Sequence, residues 1–404
     1  MSTNDGELVL ERRNTISLME LFAAYLRMGF TAFGPAMMAE TKKHIVKKKK
    51  WISEEEFLNG LALGQLLTGA TFVSLTVYIG YRLRGVSGAV VSFLGFLLPP
   101  FMVMTLLSYL YFAFGELSLV KILFKGVVAI VVALITNAVW EVGKSAVTDY
   151  KGGIIALLAL GVMVVYPNIF VVLGMAAIAG LLLFYQGAKK VAENKSLSAN
   201  NGLMNKSKTL KEAVILFLAL VTLIWVAALQ PVLLQLGGVF FRMGALVFGN
   251  GFTMIPLIQQ EVVSHYHWLT MNEFAVGLAL GQITPGPVLI TATFVGYKVA
   301  GIKGAVAGTL GIFLPSLLLV MFTAEVHQKI KNNPLVKAAI KGMVASFVGM
   351  MLVVIVGLAR HSLVDMPTLI LAILALLAFR LTKLDALWVI TGGAALYLAM
   401  SQWL

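Results

Sequence analysis

The chain has 404 residues, of which 59% are hydrophobic and 12% charged, and its mean hydropathy is +0.92. A soluble domain carries about 25% charged residues, so this composition excludes a soluble globular protein and predicts an all-α protein embedded in the lipid bilayer. The chain contains no cysteine, which excludes disulfides, thiolate metal ligands and thiol catalysis. The net charge of +13 lies mostly in short segments between apolar runs, which indicates loops of a membrane protein and not a nucleic-acid surface.

The residues from Met1 to Asn14 are polar, and the first apolar segment begins near Ile16. This order does not fit a cleavable signal peptide, so we predict that the first apolar segment is retained. Apolar runs long enough to cross a hydrocarbon core of about 30 Å follow along the chain. The runs at 89–114 and 127–142 are clear examples.

The second half of the chain repeats the first half. Arg27-Met28-Gly29 returns as Arg242-Met243-Gly244, and the sequence LALGQ at 61–65 returns at 278–282. Further matches in the same order are Trp51/Trp268, Glu56/Glu273, Gly80/Gly296, Gly85/Gly301, Gly88/Gly304, Gly95/Gly311, Pro99/Pro315 and Lys125/Lys341. Such a repeat predicts a duplicated structural unit.

The repeat predicts four parts of the chain. Residues 1–185 form the first copy, 186–212 form a polar cytoplasmic linker, 213–234 form an extra transmembrane helix, and 235–404 form the second copy. One unpaired crossing turns the second copy upside down, which gives the inverted repeat of many secondary transporters.

The charges of the loops favour this inverted arrangement. With the linker in the cytoplasm, the more basic loops also fall inside, at Arg82/Arg84, Lys144/Lys151, Lys329/Lys331 and Arg380/Lys383. The exception is the lysine-rich loop at 42–50, which falls outside if every apolar segment spans the membrane. Its side reverses if the first two segments of each half form re-entrant hairpins, because a hairpin returns the chain to one side. We predict such hairpins. The alternative is that every segment spans the membrane and the loop at 42–50 is an exception.

Arg27 and Arg242 are the leading candidates for a binding site, because each lies between apolar residues and precedes a glycine-containing break. An arginine within the membrane is costly by about 2.5–3.5 kcal/mol and indicates a function by default. Its planar guanidinium suits oxyanions. The alternative is that both side chains reach the headgroups from the ends of their segments.

Glycine and proline predict breaks inside several apolar segments. A broken helix exposes N–H groups that favour an anion, although a purely structural kink is the alternative. The predicted oxyanion site at these breaks comprises Gly34, Pro35, Thr68, Gly69, Gly249, Asn250, Gly251, Thr284, Pro285, Gly286, Pro287 and Thr291. Gln65 and Gln282, which precede two of the breaks, either donate to the ligand or bridge the backbone.

Other polar residues receive more ordinary interpretations. Ser53 with Glu56, and Thr270 with Glu273, fit the capping box at a helix start. Candidates for carrying protons are Glu261, His44 and Glu141. No metal site, catalytic triad or nucleotide-binding motif is found in the sequence, so we predict no cofactor, and transport driven by an ion gradient or the membrane potential.

Several motifs are fairly specific. They are AFGPA at 32–36, WISEEEF at 51–57, LGQLL at 63–67, YIGYR at 78–82, FLLP at 96–99, ALGQITPGPV at 279–288 and GIFLPS at 311–316. On these motifs the sequence resembles the chromate transporter family, in its long form with two fused homologous domains. The resemblance covers nearly the whole chain, from about Ser17 to Leu404.

The resemblance implies a multi-pass protein of the inner membrane that exports chromate, confers chromate resistance and uses the proton-motive force. Sulfate is an alternative substrate because it is also a tetrahedral dianion, a homodimer stays open, and a membrane enzyme or scaffold is a third reading. The first half departs from the family pattern: Thr68-Gly69-Ala70 replaces Pro-Gly-Pro, and Phe33-Gly34-Pro35 has one glycine fewer. His44 stands where the family often has glutamate, as at Glu261. We therefore expect unequal halves, with the tighter substrate contact in the second.

Overall fold

The computed structural model describes residues 16–31, 36–66, 70–193, 230–246, 251–323, 333–382 and 384–401. Helices make up nearly all of this described part, which confirms the predicted all-α membrane fold. The helices of the first copy are α1 (Leu18–Thr31), α2 (Ala36–Thr41), α3 (Glu54–Leu66), α4 (Thr71–Phe114), α5 (Ser118–Ala146), α6 (Tyr150–Val165) and α7 (Ile169–Glu193). A π-helix, Lys42–Lys48, continues α2.

The second copy contains the same kinds of element in the same order. Its helices are α8 (Pro231–Gly244), α9 (Ile255–Gln259), α10 (Met271–Ile283), α11 (Thr291–Thr323), α12 (Pro334–Ser362), α13 (Met366–Leu381) and α14 (Ala386–Ser401). A 3₁₀-helix, Gly251–Met254, precedes α9, a π-helix, Gln260–His265, follows it, and a second 3₁₀-helix, Val288–Ile290, precedes α11.

Helix α1 forms an antiparallel hairpin with α2 and its π-helical continuation. The Thr41 hydroxyl lies 3.6 Å from the sulfur of Met28 near the tip. At the open end, Lys49 Nζ pairs with Glu20 Oε1 at 2.9 Å. The 14 residues of α1 extend only about 21 Å at 1.5 Å per residue, which is shorter than the hydrocarbon core. The hairpin therefore has the length and the shape of the predicted re-entrant element.

Helix α4 is not one straight rod, although it covers 44 residues. Gly85 has φ 64° and ψ −147°, a conformation that glycine adopts without strain, and the chain reverses there. Gly80 and Gly88 touch across the reversal, and the rings of Phe72 and Phe96 lie 4.9 Å apart further along. Residues 71–83 and 86–114 are thus two antiparallel arms of a helical hairpin.

The second copy reproduces this hairpin in α11. Gly301 has φ 58° and ψ −145°, Gly296 touches Gly304, and the hydroxyls of Thr293 and Thr309 share a hydrogen bond of 2.7 Å. The predicted duplication is therefore visible in backbone geometry as well as in sequence.

Five of the described helical segments are long and apolar enough to cross a membrane. They are Thr71–Phe114, Ser118–Ala146, Ile169–Gln186, Val288–Thr323 and Pro334–Ser362. The first and the fourth contain the reversals just described, so only their second arms, 86–114 and 302–323, extend far in one direction. Helices α6, α13 and α14 are apolar but shorter.

The chain forms two compact units, and each unit contains parts of both copies. The first unit comprises Met1–Thr105, Leu197–Gly249 and Thr284–Gln328. The second unit comprises Leu106–Ser196, Asn250–Ile283 and Lys329–Leu404. The compact units therefore do not coincide with the two sequence repeats.

The second unit shows that the two copies are inverted. Lys125, near the start of α5, pairs with Asp365, which follows the end of α12, at 2.5 Å. Lys341, near the start of α12, pairs with Asp149, which follows the end of α5, at 3.1 Å. Equivalent helices of the two copies therefore run antiparallel. In the same unit α5 packs on α13 and α14, while α12 packs on α6 and α7, so each copy packs its long helix on the other copy.

The structure describes only part of the predicted linker and of the predicted extra helix. Helix α7 continues to Glu193, so the first residues of the predicted linker are helical. The polar composition after residue 186 indicated a loop, but the two alanines and two lysines before residue 193 also continue a helix readily. The rest of the linker and most of the predicted extra helix at 213–234 lie outside the described residues.

Candidate functional site

The second copy breaks its helix where the sequence predicted, and in the first copy Ala70, just before α4, is non-helical. Helix α3 ends at Leu66 and α4 begins at Thr71, while α10 ends at Ile283 and is followed by the non-helical residues 284–287. Gly286 has φ +102°, a value that side chains rarely permit. Ala70 is called the first turn, and residues 284–287 are called the second turn.

Within the first unit, each turn packs against the same position of the other copy. The backbone N–H of Ala70 donates to Ser316 Oγ at 3.0 Å. Gly286 packs on Pro100, with the position of an added Cβ at 3.1 Å from the proline ring. Because Pro100 and Ser316 are equivalent positions of the repeat, this contact is reciprocal. The two turns therefore meet the middle of the long arms, 86–114 and 302–323, where irregular backbone needs cover by protein.

The contact of the first turn with Ser316 differs in chemistry from the contact of the second turn with Pro100. The Ser316 hydroxyl accepts the N–H of the first turn, so that donor is satisfied within the protein. Pro100 carries no hydroxyl and cannot cap the second turn in this way. The second turn instead places the Thr284 hydroxyl 3.6 Å from the sulfur of Met104, a weak acceptor. The two turns therefore make different contacts at equivalent positions of the repeat.

Arg27 and Arg242 occupy equivalent positions on α1 and α8, and both side chains are exposed on the first unit. On α1 the buried face contains Tyr25, Met28 and Gly29, and Arg27 points away from it. A glycine two residues after each arginine packs closely on a proline of the neighbouring arm. Gly29 contacts Pro99, and Gly244 contacts Pro315. Close packing thus fixes both helices beside the proline-bearing arms while leaving the guanidinium groups accessible.

The π-helical segments place two of the proton candidates at matching positions. His44 lies in Lys42–Lys48 and is half-buried, within electrostatic reach of Arg27. Glu261 lies in Gln260–His265 and is only 5% exposed. Among the described residues, Glu261 is the charged side chain that the fold buries. π-Helical turns occur often at functional sites, and both copies carry an ionisable residue on theirs.

The other predicted site residues are placed as follows. Gln65 is exposed at the end of α3 in the first unit, and Gln282 is half-buried at the end of α10 in the second unit. Thr291 is buried and donates to the Val288 carbonyl at 2.9 Å, which stabilises the start of α11. Gly251 begins a 3₁₀-helix of the second unit. Gly34, Pro35, Thr68, Gly69, Gly249 and Asn250 lie outside the described residues.

Glu141 is placed differently from Glu261. It is exposed at the end of α5 and pairs with Lys144 at 3.4 Å and with Arg380 at 3.5 Å. This placement favours a surface ion pair. The capping interpretation is confirmed in both copies: Ser53 and Glu56 exchange hydrogen bonds at the start of α3, as Thr270 and Glu273 do at the start of α10.

The sequence did not single out Ser316, Pro100 and Met104. Their only signal was a proline doublet, Pro99-Pro100, where the second copy has Pro315-Ser316, in the middle of an apolar run. The partners of these residues are distant in sequence, and Ala70 and Ser316 are 246 positions apart. Local pattern therefore could not identify the contact. No cluster of three or more metal-ligating side chains occurs among the described residues.

An inverted repeat with short hairpins and helices broken inside an apolar unit is the architecture of a secondary transporter. The chain belongs to the chromate transporter family, whose profile matches residues 19–181 and 234–398. The two matched regions correspond to the two copies. The protein is accordingly a multi-pass membrane transporter and not an enzyme.

Similar proteins match over nearly their full length. A chromate transport protein of Cupriavidus metallidurans is 31% identical over 393 residues, which cover 94% of this chain and 92% of that protein. A chromate transport protein of Pseudomonas aeruginosa is 30% identical over 367 residues, 88% of this chain and 84% of that protein. An uncharacterised transporter of Methanocaldococcus jannaschii is 29% identical over 351 residues, 87% and 86%. No solved structure matches the chain.

Proposed function

We propose that the protein exports chromate across the cytoplasmic membrane, driven by the proton-motive force. The observation that supports this most strongly is the reciprocal packing of the two turns on the long arms of the first unit. It supports the proposal because inverted-repeat transporters bind their substrates beside broken helices at the interface of the repeats. Membership of the chromate transporter family and the names of the similar proteins support chromate as the substrate.

In this proposal Arg27 and Arg242 supply the positive charge that a dianion needs. Both arginines are exposed, at equivalent positions of α1 and α8. The Thr284 hydroxyl and the N–H groups of the second turn add neutral donors, and the first turn contributes less because Ser316 already accepts its Ala70 N–H. Hydrogen bonds to charged groups contribute about 1.5–3 kcal/mol each, which corresponds to roughly ten- to a hundredfold in affinity per arginine.

Glu261 is the proposed carrier of the coupling proton. It is buried on a π-helical segment, and acidic residues within membrane proteins often take part in proton relays. His44 at the matching position of the first copy is less buried. We therefore assign the main coupling role to the second copy.

Transport into everted membrane vesicles tests the substrate and the arginines together. Energised vesicles with the wild-type protein should accumulate labelled chromate, and Arg27→Ala or Arg242→Ala should reduce uptake at least tenfold. Arg360→Ala, at the end of α12, is the matched control, and uptake should stay near that of the wild type. Unchanged uptake in both arginine variants contradicts the site, and inhibition by sulfate far below the chromate concentration identifies sulfate as the better substrate.

A second experiment tests the proton carrier. Glu261→Gln should retain chromate binding while uptake no longer responds to an imposed pH gradient. His44→Gln should keep most of that response. Full gradient-driven uptake by Glu261→Gln excludes this carboxyl group as the carrier without affecting the assignment of chromate.

A further inference from the structure

The first copy contains buried hydroxyl groups that the second copy lacks. Tyr25, Thr76 and Ser92 are each 0% exposed, and among the described residues none of the three hydroxyls has a hydrogen-bond partner. The equivalent positions of the second copy are occupied by Phe240, Ala292 and Gly308, whose side chains contain no polar atom.

The residues that carry these three hydroxyls lie on surfaces that pack against one another. In the α4 hairpin, Thr76 and Ser92 each lie one helical turn from the Gly80–Gly88 contact and one turn from the Phe72–Phe96 contact. They therefore face one another between these two contacts. The Ser92 hydroxyl also touches the space beside Gly80.

Tyr25 approaches the pair from α1. Its Cβ lies 3.3 Å from the position that a Cβ would take at Gly95, near Ser92. In the second copy the ring of Phe240, equivalent to Tyr25, lies 3.6 Å from the corresponding position at Gly308, which is equivalent to Ser92. The repeat therefore places the Tyr25 ring over Ser92.

The fold itself does not need these hydroxyl groups, because the second copy builds the same hairpin without them. A buried hydroxyl without a partner destabilises a protein, and native proteins satisfy such groups with few exceptions. A bound component that supplies hydrogen bonds would offset the cost of burying these three hydroxyls in the first copy.

We propose that Tyr25, Thr76 and Ser92 form a buried water-binding site in the first copy, which the second copy lacks. Three hydroxyls that both donate and accept match the two to four partners of a buried water molecule. A dianion does not fit, because Arg27 points away from Tyr25 across α1. Three neutral oxygens are also fewer than a bound alkali or alkaline-earth cation requires.

Water at this site could transfer protons, an inference that rests on the proposed proton-driven transport. A hydroxyl–water–hydroxyl chain accepts a proton at one end as it releases another at the opposite end, so its composition does not change. The first copy would then provide a proton path within its hairpin, whereas the second copy is dry at the same place.

Pulsed hydroxyl-radical footprinting of the purified full-length protein tests the water site without reference to transport. X-ray activation of bound water labels the side chains beside it, so Tyr25 should be labelled several times faster than Phe240, which is equally buried. Equal labelling of the two residues overturns the proposal. This comparison uses the wild-type protein and needs no variant to fold.

Two variants locate the water. The double variant Thr76→Ala/Ser92→Gly carries the second copy's own residues, and labelling of Tyr25 should fall to the level of Phe240. Phe240→Tyr adds a hydroxyl where Ala292 and Gly308 offer no partners, and labelling there should stay low. Fast labelling of Tyr25 in the double variant means that other groups hold the water and contradicts the site.

Chromate uptake by the same double variant separates this inference from the proposed function. Gradient-driven uptake should fall several-fold while chromate binding is unchanged. A wild-type protein that moves no chromate removes the proposed function but leaves the footprinting result standing. Unchanged uptake by a double variant whose Tyr25 labelling has fallen refutes the proton path and retains the water site.

Discussion

The two copies share a backbone far more closely than they share chemistry. The reversals at Gly85 and Gly301 have nearly the same dihedral angles, with φ of 64° and 58° and ψ of −147° and −145°. Lys50 and His267, at the ends of the two π-helical segments, both have φ 52°. The sites where backbone meets backbone are glycine in both copies, because any Cβ there meets a carbonyl oxygen.

The side chains around the turns differ between the copies. Ser316 caps the first turn, while Pro100 offers no cap to the second. Tyr25, Thr76 and Ser92 place buried hydroxyls without a partner in one hairpin, at positions where the other has Phe240, Ala292 and Gly308. The buried hydroxyls of the other hairpin, on Thr293 and Thr309, bond to each other. The comparison teaches that the glycine contacts preserve the inverted symmetry, while residues beside them are free to give each copy a separate task.

The largest effects should come from the glycine contacts, and they should be equal in the two copies. A Cβ at Gly80 or at Gly296 meets the carbonyl oxygen of the facing glycine. Gly80→Ala and Gly296→Ala should each cost more than about 3 kcal/mol through overpacking. The measurement is the midpoint of thermal unfolding in detergent, together with the yield of monodisperse protein.

Gly161→Ala in α6 is the matched control, because nothing lies within 4 Å of the added Cβ. It should leave stability unchanged or raise it slightly, since alanine favours the helix. A normal unfolding midpoint for Gly80→Ala with a low one for Gly296→Ala would show that the two hairpins do not share this contact.

Single changes at the equivalent positions Ser316 and Pro100 should have the next largest effects on stability and binding. Ser316→Ala leaves the Ala70 N–H without its acceptor and should cost about 1–3 kcal/mol of stability, with little change in chromate affinity. Pro100→Ser offers a hydroxyl to the second turn and should weaken chromate binding by competing for its N–H groups. Stability and chromate binding are measured on the same preparations. If Ser316→Ala weakens chromate binding and Pro100→Ser does not, the first turn and not the second contacts the substrate.

The capping boxes should have equal and smaller effects. Ser53→Ala removes the hydroxyl that accepts the Glu56 N–H, and Thr270→Ala does the same for Glu273. Each change should lower stability by about 1 kcal/mol, as measured by unfolding in mixed micelles. Ser53→Asp and Thr270→Asp, which keep a capping oxygen, serve as controls and should stay close to the wild type.

The reciprocal ion pairs should give the smallest effect, and it depends on pH. The Lys125 ammonium lowers the pKa of Asp365 to about 2 from 3.8, and the Thr368 N–H adds to the shift. A lowered carboxyl pKa stabilises the folded state above about pH 4, and this contribution is lost as the pH falls toward about 2. Since these side chains are more than one-third exposed, we expect less than about 1 kcal/mol.

Asparagine keeps the helix cap and removes only the charge, so Asp365→Asn should flatten the acid limb of stability between about pH 4 and pH 2. Asp149→Asn should do so less, because the pKa of Asp149 is lowered chiefly by the Gly152 N–H and only then by Lys341. An unchanged acid limb in both variants means that the ion pairs do not stabilise the second unit.

The sequence predicted those features that depend on local pattern. Matched glycines indicated the repeat, Ser53 and Thr270 indicated the helix starts, and Thr284-Pro285-Gly286-Pro287 indicated a break. The loop predicted at Arg82/Arg84 lies at the observed reversal, but the backbone angles of Gly85 and the close contact of Gly80 with Gly88 depend on the folded hairpin. Lys125–Asp365 and Ala70–Ser316 join residues 240 and 246 positions apart, so only the assembled fold reveals how the copies exchange contacts.

The central claim is that equivalent arginines flank an oxyanion site whose tighter half belongs to the second copy. Calorimetric titration of chromate into the purified wild-type protein, Arg27→Gln and Arg242→Gln tests it directly. The account predicts saturable binding that weakens roughly ten- to a hundredfold in each variant, and more in Arg242→Gln than in Arg27→Gln. Chromate binding of wild-type affinity in both variants would contradict it.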